Sequence, residues 1–117
     1  MIAAGVDIEE IARVENAAAR YGHRFLGRIF TDREMECMPR ENGFYYAVGF
    51  SMKEAVWKAL PDEVQPRTYF RDIEVLWEEE HPRVVIRTFP GTPVVSFGRS
   101  TTLVVTTALL SVTPQNG

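Results

Sequence analysis

Residues 43–60 have the sequence GFYYAVGFSMKEAVWKAL and predict the longest helix of the chain. Their apolar side chains recur at the three- and four-residue spacing of a helix that packs against a core. Pro61 follows directly and ends this helix, because proline has no backbone N–H and clashes with the preceding turn. We therefore expect a long central helix around which the other elements pack.

The residues before this helix predict a strand and shorter helices. Apolar runs, helical spacing, a glycine stop and a capping-box pattern mark their limits. In chain order they are a buried strand at residues 2–7, a helix that ends at Tyr21 before Gly22, a short helix at residues 25–30, and a helical turn that begins with the Thr31–Glu34 capping box and ends by Pro39.

The residues after the central helix change to strand patterns. Four segments are rich in β-branched residues and are separated by proline and glycine turn signals; they are residues 71–77, 83–89, 93–97 and 101–112. The predicted fold class is α+β, with an N-terminal strand and helices and with the long central helix packed on a C-terminal antiparallel sheet, a meander of the late strands. Residues 113–117 are expected to be frayed.

Composition indicates an ordinary globular protein, so we expect residues 1–117 to form a single domain. The chain has 117 residues, of which 45% are hydrophobic and 25% are charged. Its one cysteine, Cys37, cannot form an internal disulfide, which suits a reducing compartment and predicts a cytoplasmic location. No membrane association is expected, because the longest apolar run, residues 103–112, is too short to span a bilayer. The first residues also lack the apolar region of a signal peptide.

The charged residues argue against nucleic-acid binding and indicate a phosphate-binding site. The net charge is −3, which gives the whole protein no electrostatic footprint for nucleic-acid binding. Of the 13 basic residues, only Lys53 and Lys58 are lysines. Two lysines in one segment of an arginine-rich chain indicate a site where a compact ammonium binds a phosphate. The alternative is that both are solvated helix lysines.

Three polar segments are candidates for a functional site. Asp7 lies where the first predicted strand meets the first helix. Glu54 and Lys58 are four residues apart, so they share one face of the central helix. Residues 96–100, SFGRS, lie between two apolar strands. Two carboxylates and two lysines could bind Mg²⁺ and a diphosphate, because Mg²⁺ takes one or two carboxylates together with phosphate oxygens and water.

Each of these segments also has a purely structural interpretation. Asp7 with Glu10, and Ser51 with Glu54, fit the capping-box pattern, so the carboxylates could serve only to start helices. Residues 96–100 could be a simple hairpin turn. The sequence has no phosphate-binding glycine loop, zinc-ligand spacing or G-x-S-x-G pattern. The residues alone therefore lead to a candidate Mg²⁺–phosphate site and leave the structural alternatives open.

Three motifs, in this order and in a chain of this length, resemble a known family. They are GVDIEEIARV at residues 5–14, RFLGRIFTDRE at 24–34 and FSMKEAVWKAL at 50–60. With RDIEVL at 71–76 and HPRVVI at 81–86, they resemble the holo-acyl-carrier-protein synthases, the small single-domain class of 4'-phosphopantetheinyl transferases. The resemblance covers roughly residues 4–110.

The resemblance implies a reaction and a set of roles. The phosphopantetheine arm of coenzyme A would pass to a serine of an apo acyl carrier protein of fatty-acid or polyketide synthesis, releasing adenosine 3',5'-bisphosphate. Asp7 and Glu54 would bind Mg²⁺ and, with Lys58, form the catalytic group. Lys58 would also touch the coenzyme A phosphates, with Lys53 in the same cluster.

The resemblance also implies an assembly and a carrier-protein surface. The protein would be a homotrimer with its sites at subunit interfaces. Arg13, Arg20 and Arg24 would bind the acidic recognition helix of the carrier protein, provided that the first helix continues past Gly22. The alternative is that they are ordinary exposed arginines of an amphipathic helix.

Two positions depart from the family pattern on the coenzyme A side. Gly49 stands where an arginine is usual, and Ser96-Phe-Gly-Arg99 stands where a Ser-x-Ser-His or Ser-x-Thr-His segment is usual. We expect Ser96 to remain near coenzyme A and Arg99 to hold one of its phosphates in place of the histidine, since a guanidinium can bind a phosphate through two parallel hydrogen bonds. The alternative is a non-catalytic homologue that binds carrier protein or coenzyme A.

Overall fold

The computed structural model describes residues 1–112. The predicted element order and α+β class are confirmed, and the expected fraying at residues 113–117 lies outside the described residues. The elements are β1 (Ile2–Glu10), α1 (Ile11–Tyr21), α2 (His23–Ile29), α3 (Asp32–Cys37), α4 (Gly43–Ala59), two short 3₁₀ helices (Gln65–Arg67 and Phe70–Asp72), β2 (Ile73–Glu78), β3 (His81–Ile86), β4 (Val94–Arg99) and β5 (Leu103–Ser111).

Local signals set the helix limits as predicted. Gly22 has a φ of 54°, a left-handed value that favours glycine, and it separates α1 from α2. Thr31 and Glu34 form the expected capping box: the Glu34 N–H donates to Thr31 Oγ1 at 3.3 Å, and the Thr31 N–H donates to Glu34 Oε1 at 3.0 Å. Pro61 lies just beyond the last turn of α4.

The strand pairing differs from the single late meander that the sequence predicts. β1 pairs antiparallel with β5, and β5 pairs antiparallel with β4, so the order in this sheet is β1-β5-β4. β2 and β3 form a separate antiparallel hairpin. β1 also continues to Glu10, three residues beyond the predicted strand. The meander was wrong because periodicity identifies strands but not their partners, and the first strand of the chain lies beside the last.

The central helix α4 packs against β1 and β5. Ala47, Met52 and Ala55 are fully buried on it. At Gly5 of β1, an added Cβ would lie 1.8 Å from the Ala55 carbonyl oxygen. The strand and helix backbones therefore touch, and glycine is required at this close approach.

Within residues 1–112, no helix has the length and hydropathy needed to cross a membrane.

Candidate functional site

Asp7 and Lys58 form an ion pair between β1 and α4. The Lys58 ammonium donates to Asp7 Oδ1 at 3.1 Å and to the Val6 carbonyl at 3.1 Å. Asp7 is only 9% exposed, on the face of β1 that packs against α4. The capping interpretation of Asp7 is wrong, because α1 starts at Ile11 and its N-cap, Glu10, makes no side-chain cap. Asp7 is thus a strand carboxylate held against the central helix.

Glu54 lies one helical turn before Lys58 and close enough to Asp7 for an electrostatic interaction between the two carboxylates. Burial raises the pKa of Glu54, the Asp7 charge raises it further, and Lys58 opposes both effects. The capping interpretation is wrong here too, because Ser51 lies inside α4 and shares a 2.8 Å hydrogen bond with Thr106. The structure therefore brings together the predicted triad of Asp7, Glu54 and Lys58, which we call the acid cluster.

Glu9 is a neighbour of this cluster that the sequence pattern misses. Burial raises its pKa, as do the charges of Asp7 and Glu54, while Arg13 lowers it. Alternate residues of a strand face the same side, so Glu9 follows Asp7 on the inner face of β1. The sequence pattern ends this strand at Asp7, so Glu9 is read as part of a helix start.

The acid cluster contains carboxylates, the kind of side chain through which proteins bind Mg²⁺. Asp7 Oδ2 is buried and has no hydrogen-bond partner among the described residues. A buried carboxylate oxygen without a partner is costly unless a cation or donor reaches it. No group of three or more His, Cys, Asp or Glu side chains in residues 1–112 is arranged to hold a metal by itself. Asp7 and Glu54 would thus supply two ligands, and phosphate oxygens and water would complete the shell.

Lys53 does not belong to this cluster, which contradicts the prediction that it contacts coenzyme A. Its side chain is fully buried, and its ammonium donates to Glu34 Oε1 at 2.7 Å, to the Phe70 carbonyl at 2.8 Å and to the Ile73 carbonyl. Burial lowers the pKa of Lys53 and raises that of Glu34, and each charge opposes the shift of the other. An ammonium has three donors. All three are used inside the protein, so none is free for a phosphate.

Ser96 and Arg99 also lie away from the acid cluster of the same chain. Ser96 shares a 2.6 Å hydrogen bond with Thr107 on the opposite face of the sheet from Asp7. The Arg99 guanidinium lies 4.3 Å from the centre of the Phe44 ring. Phe44 precedes Glu54 by ten residues of α4, which is about 15 Å along a helix axis. Within one chain, Ser96 and Arg99 are therefore not part of the acid cluster.

The three predicted partner-binding arginines are exposed but do not share one helix. Arg13 and Arg20 lie on one face of α1, whereas Gly22 ends that helix and places Arg24 on α2. Two adjoining depressions share the aromatic walls Tyr21 and Phe25. Arg20 lines neither of them, but its guanidinium lies 5.4 Å from the centre of the Tyr21 ring. One depression reaches Glu9 and Arg13, and the other reaches Arg24 and Arg28. We call this continuous surface the basic groove; Arg28 is a member that the sequence pattern misses.

Gly49 is explained by packing. A Cβ at Gly49 would lie 2.7 Å from Cε1 of the Phe30 ring. Phe30 is only 2% exposed, and the Lys53 ammonium lies 5.3 Å from its ring centre. The arginine that is usual in the family would therefore require Phe30 to move.

Comparisons with known proteins agree with this architecture. The model of the 4'-phosphopantetheinyl transferase superfamily matches residues 3–108. The chain is 39% identical over 84 residues to the holo-[acyl-carrier-protein] synthase of Chlamydia caviae, covering 70% of this chain and 69% of that protein. It is 39% identical over 88 residues to the synthase of Vibrio atlanticus, covering 74% of this chain and 69% of that protein.

A solved structure of a holo-(acyl-carrier-protein) synthase has a fold similar to that of this chain. The holo-(acyl-carrier-protein) synthase of Bacillus anthracis, in complex with CoA (3',5'-ADP), superposes with a TM-score of 0.76 at 25% identity, covering 92% of this chain and 94% of that one. The chain therefore belongs to the 4'-phosphopantetheinyl transferase superfamily and is a transferase of the holo-acyl-carrier-protein synthase family.

Proposed function

We propose that the protein transfers the 4'-phosphopantetheine arm of coenzyme A to a serine hydroxyl of an apo acyl carrier protein. The serine oxygen forms a bond to the phosphorus next to the arm, and the hydroxyl proton passes to water. The bridging P–O bond of the diphosphate breaks, and adenosine 3',5'-bisphosphate leaves with the electron pair of that bond. The observation that carries the proposal is the acid cluster, where a buried, unpartnered Asp7 oxygen lies beside Glu54 and Lys58. Family membership supports the same reaction.

Asp7 and Glu54 are the proposed Mg²⁺ ligands, and Lys58 completes the positive charge around the diphosphate. When bound, Mg²⁺ supplies charge that stabilises the diphosphate oxygens as the bridging bond breaks. The Lys58 side chain is 46% exposed, so its ammonium can contact solvent and ligand while Asp7 holds it. A flexible lysine is suited to follow charge that builds up on a leaving phosphate.

The basic groove is the proposed binding surface for the carrier protein. Arg13 and Arg24 line it and the exposed Arg20 lies beside its Tyr21 wall, so all three would face the acidic recognition helix of the partner. The groove begins at Glu9, which neighbours Asp7, so a protein bound along it is close to the acid cluster. Charge complementarity of this kind mainly raises the association rate.

The outer face of the β1-β5-β4 sheet supports the proposed homotrimer. Its apolar side chains are exposed in the single chain, and contiguous exposed apolar surface marks interaction sites. They are Ile2, Val6, Ile8, Val94, Val105 and Leu109. Burial between copies would also explain how Ser96 and Arg99, which lie apart from the acid cluster of their own chain, could serve a neighbouring subunit. We propose that Arg99 holds a coenzyme A phosphate in that way.

The proposed carrier protein belongs to fatty-acid or polyketide synthesis, and the proposed location is the cytoplasm. The single Cys37 supports a reducing compartment.

The function is tested by mixing the protein with apo acyl carrier protein, coenzyme A and Mg²⁺ and then recording the intact mass of the carrier. The proposal predicts a gain of one phosphopantetheine group on the carrier, and its loss when the acceptor serine is replaced by alanine. Binding of carrier and coenzyme A without any mass gain would contradict the proposal and favour a non-catalytic homologue.

A further inference from the structure

The short helix α2 carries part of the basic groove but has few local features that stabilise a helix. Its residues Arg24, Phe25 and Arg28 line the groove. The helix has seven residues, and helices shorter than about 12 residues are marginal in water without tertiary contacts. Gly27, a poor helix former, lies within it, and its N-cap Gly22 has no side chain to cap the first turn. The geometry of α2 therefore depends on contacts with other elements.

Arg71, in the second 3₁₀ helix (Phe70–Asp72), binds the C-terminal end of α2. Its Nη1 donates to the Gly27 carbonyl at 2.7 Å and to the Phe30 carbonyl at 2.8 Å. The last carbonyls of a helix have no partner within the helix, and the helix dipole favours a cation at this end. One guanidinium nitrogen thus joins the two carbonyls that flank the Arg28 segment of the groove.

The backbone that carries Arg71 is itself fixed to the central helix. Lys53 of α4 donates to the Phe70 and Ile73 carbonyls, which lie on either side of Arg71. The Phe70 ring stacks on that of Phe50 of α4, with the ring centres 5.3 Å apart. Phe50 also lines the basic groove. The Arg71 side chain therefore extends to α2 from a support that is held to the groove wall.

Arg71 is not among the residues that line the two depressions of the basic groove, so its effect on the groove passes through α2. We infer that Arg71 is a positioning residue for carrier-protein binding: it holds the end of α2 so that Arg24 and Arg28 keep the positions in which they meet an acidic helix. Side chains that are held in place before binding avoid an ordering cost when the partner binds. This inference rests on the proposed function, because that function assigns the carrier protein to the basic groove.

The test is a steady-state transfer assay that varies apo acyl carrier protein and coenzyme A separately. We expect Arg71→Met to raise the KM for the carrier protein about tenfold. Losing a charge-assisted hydrogen bond lowers the fraction of molecules with the end of α2 in place by about this factor, and the apparent affinity falls with that fraction. The KM for coenzyme A and kcat should not change. Arg71→Lys should stay close to wild type, because both bonds start from one nitrogen, which a single ammonium can replace.

A charge control and a second measurement separate positioning from other effects. Arg83→Met removes the same charge from an exposed residue of β3, outside the basic groove, and should keep the wild-type constants. Amide hydrogen exchange reports on the helix directly. In Arg71→Met, residues 24–30 should exchange faster than in wild type, whereas the amides of α1 should keep their rates.

Four results would overturn the inference while leaving the proposed function intact. An unchanged carrier KM in Arg71→Met would show that carrier binding does not depend on this contact. A raised carrier KM with unchanged exchange in α2 would assign Arg71 to a direct contact with the carrier. A parallel rise in the KM for coenzyme A, or an equal effect in Arg83→Met, would indicate a general loss of stability or of charge. A wild type that does not modify the carrier would instead contradict the proposed function, and the inference with it.

Discussion

Lys53 and Lys58 are the only lysines of the chain, and the fold gives them opposite environments. Lys58 is half-exposed and pairs with Asp7 at the acid cluster, whereas Lys53 is fully buried against Glu34. Five residues along α4 turn the two side chains to different faces of the helix. Because α4 is apolar on most faces, its sequence does not reveal which lysine points inward. Of the two lysines predicted to bind a ligand, the structure places only Lys58 beside Asp7.

Replacing Lys53 with methionine should destabilise the protein strongly. The change leaves the buried Glu34 carboxylate without its cation, and breaking a buried ion pair in this way costs about 3–5 kcal/mol. Urea unfolding measures the loss. The double variant Glu34→Gln/Lys53→Met should recover part of it, because no unpaired charge remains and the glutamine oxygen can still accept from the Val75 N–H. A single variant within about 0.5 kcal/mol of wild type, the range of ordinary surface substitutions, would contradict this role for Lys53.

The packing of β1 against α4 positions the side chains of the acid cluster. Gly5 and Asp7 occupy the same face of β1, since side chains alternate along a strand. At Gly5 the strand backbone approaches the carbonyl of Ala55, and two residues later Asp7 meets Lys58. In the sequence G-V-D, Gly5 thus permits the close approach of β1 to α4, and Asp7 forms the ion pair with Lys58 that this approach allows.

Gly5→Ala should separate β1 from α4. Its Cβ would lie 1.8 Å from the Ala55 carbonyl oxygen, a backbone atom of the central helix. We expect a loss of about 3 kcal/mol in the free energy of unfolding, at the upper end for overpacked cores. Gly27→Ala is the matched control: its Cβ meets nothing within 4 Å, and alanine favours the helix. Thermal unfolding of both variants checks this, and similar losses in the two would contradict the close approach.

The junction of α3, β2 and β3 should make stability depend on pH through Glu74. Burial raises the pKa of Glu74, but the Thr31 hydroxyl at 2.7 Å and the Arg87 and Arg33 guanidinium groups outweigh it, so the pKa is below its usual value. A depressed carboxyl pKa stabilises the fold above the unfolded pKa, and this contribution is lost as pH falls through the folded pKa.

Glu74→Gln should therefore melt below wild type at neutral pH, with the difference shrinking as the solution is acidified. Melting temperatures across an acid-to-neutral series measure it. A difference that stays constant with pH would show that the Glu74 charge does not contribute.

At the scale of the whole molecule, local patterns predict the elements but not their partners. Gly22, the Thr31 capping box and Pro61 mark helix limits correctly, because each acts through its own neighbours in the chain. The pairing of β1 with β5 joins residues about a hundred positions apart. This pairing extends β1 to Glu9 and places that residue on the inner face of the sheet. The position of Arg99 also depends on long-range packing, because β4 places its guanidinium against Phe44 at the start of α4 and not beside Glu54.

The exposed sheet face predicts self-association. Val6 is 53% exposed near the middle of this face, so Val6→Asp places a charge where copies would meet. In analytical ultracentrifugation we expect wild type to sediment as a trimer and Val6→Asp as a monomer with an unchanged circular dichroism spectrum. His81→Asp, on the separate β2–β3 hairpin, should remain a trimer. A monomeric wild type would contradict the proposed assembly.

The most direct test of the acid cluster is the Mg²⁺ dependence of transfer in Asp7→Asn and Glu54→Gln, followed by the intact mass of the carrier protein beside a thermal melt of each variant. Wild type should modify the carrier with Mg²⁺ and stop when the ion is chelated. Each variant should lose about two to three orders of magnitude in rate, because a metal ion contributes several kcal/mol to charge stabilisation. Their melting temperatures should stay close to that of wild type. Either variant transferring the arm at the wild-type rate would contradict the assignment of Asp7 and Glu54 to one metal–diphosphate site.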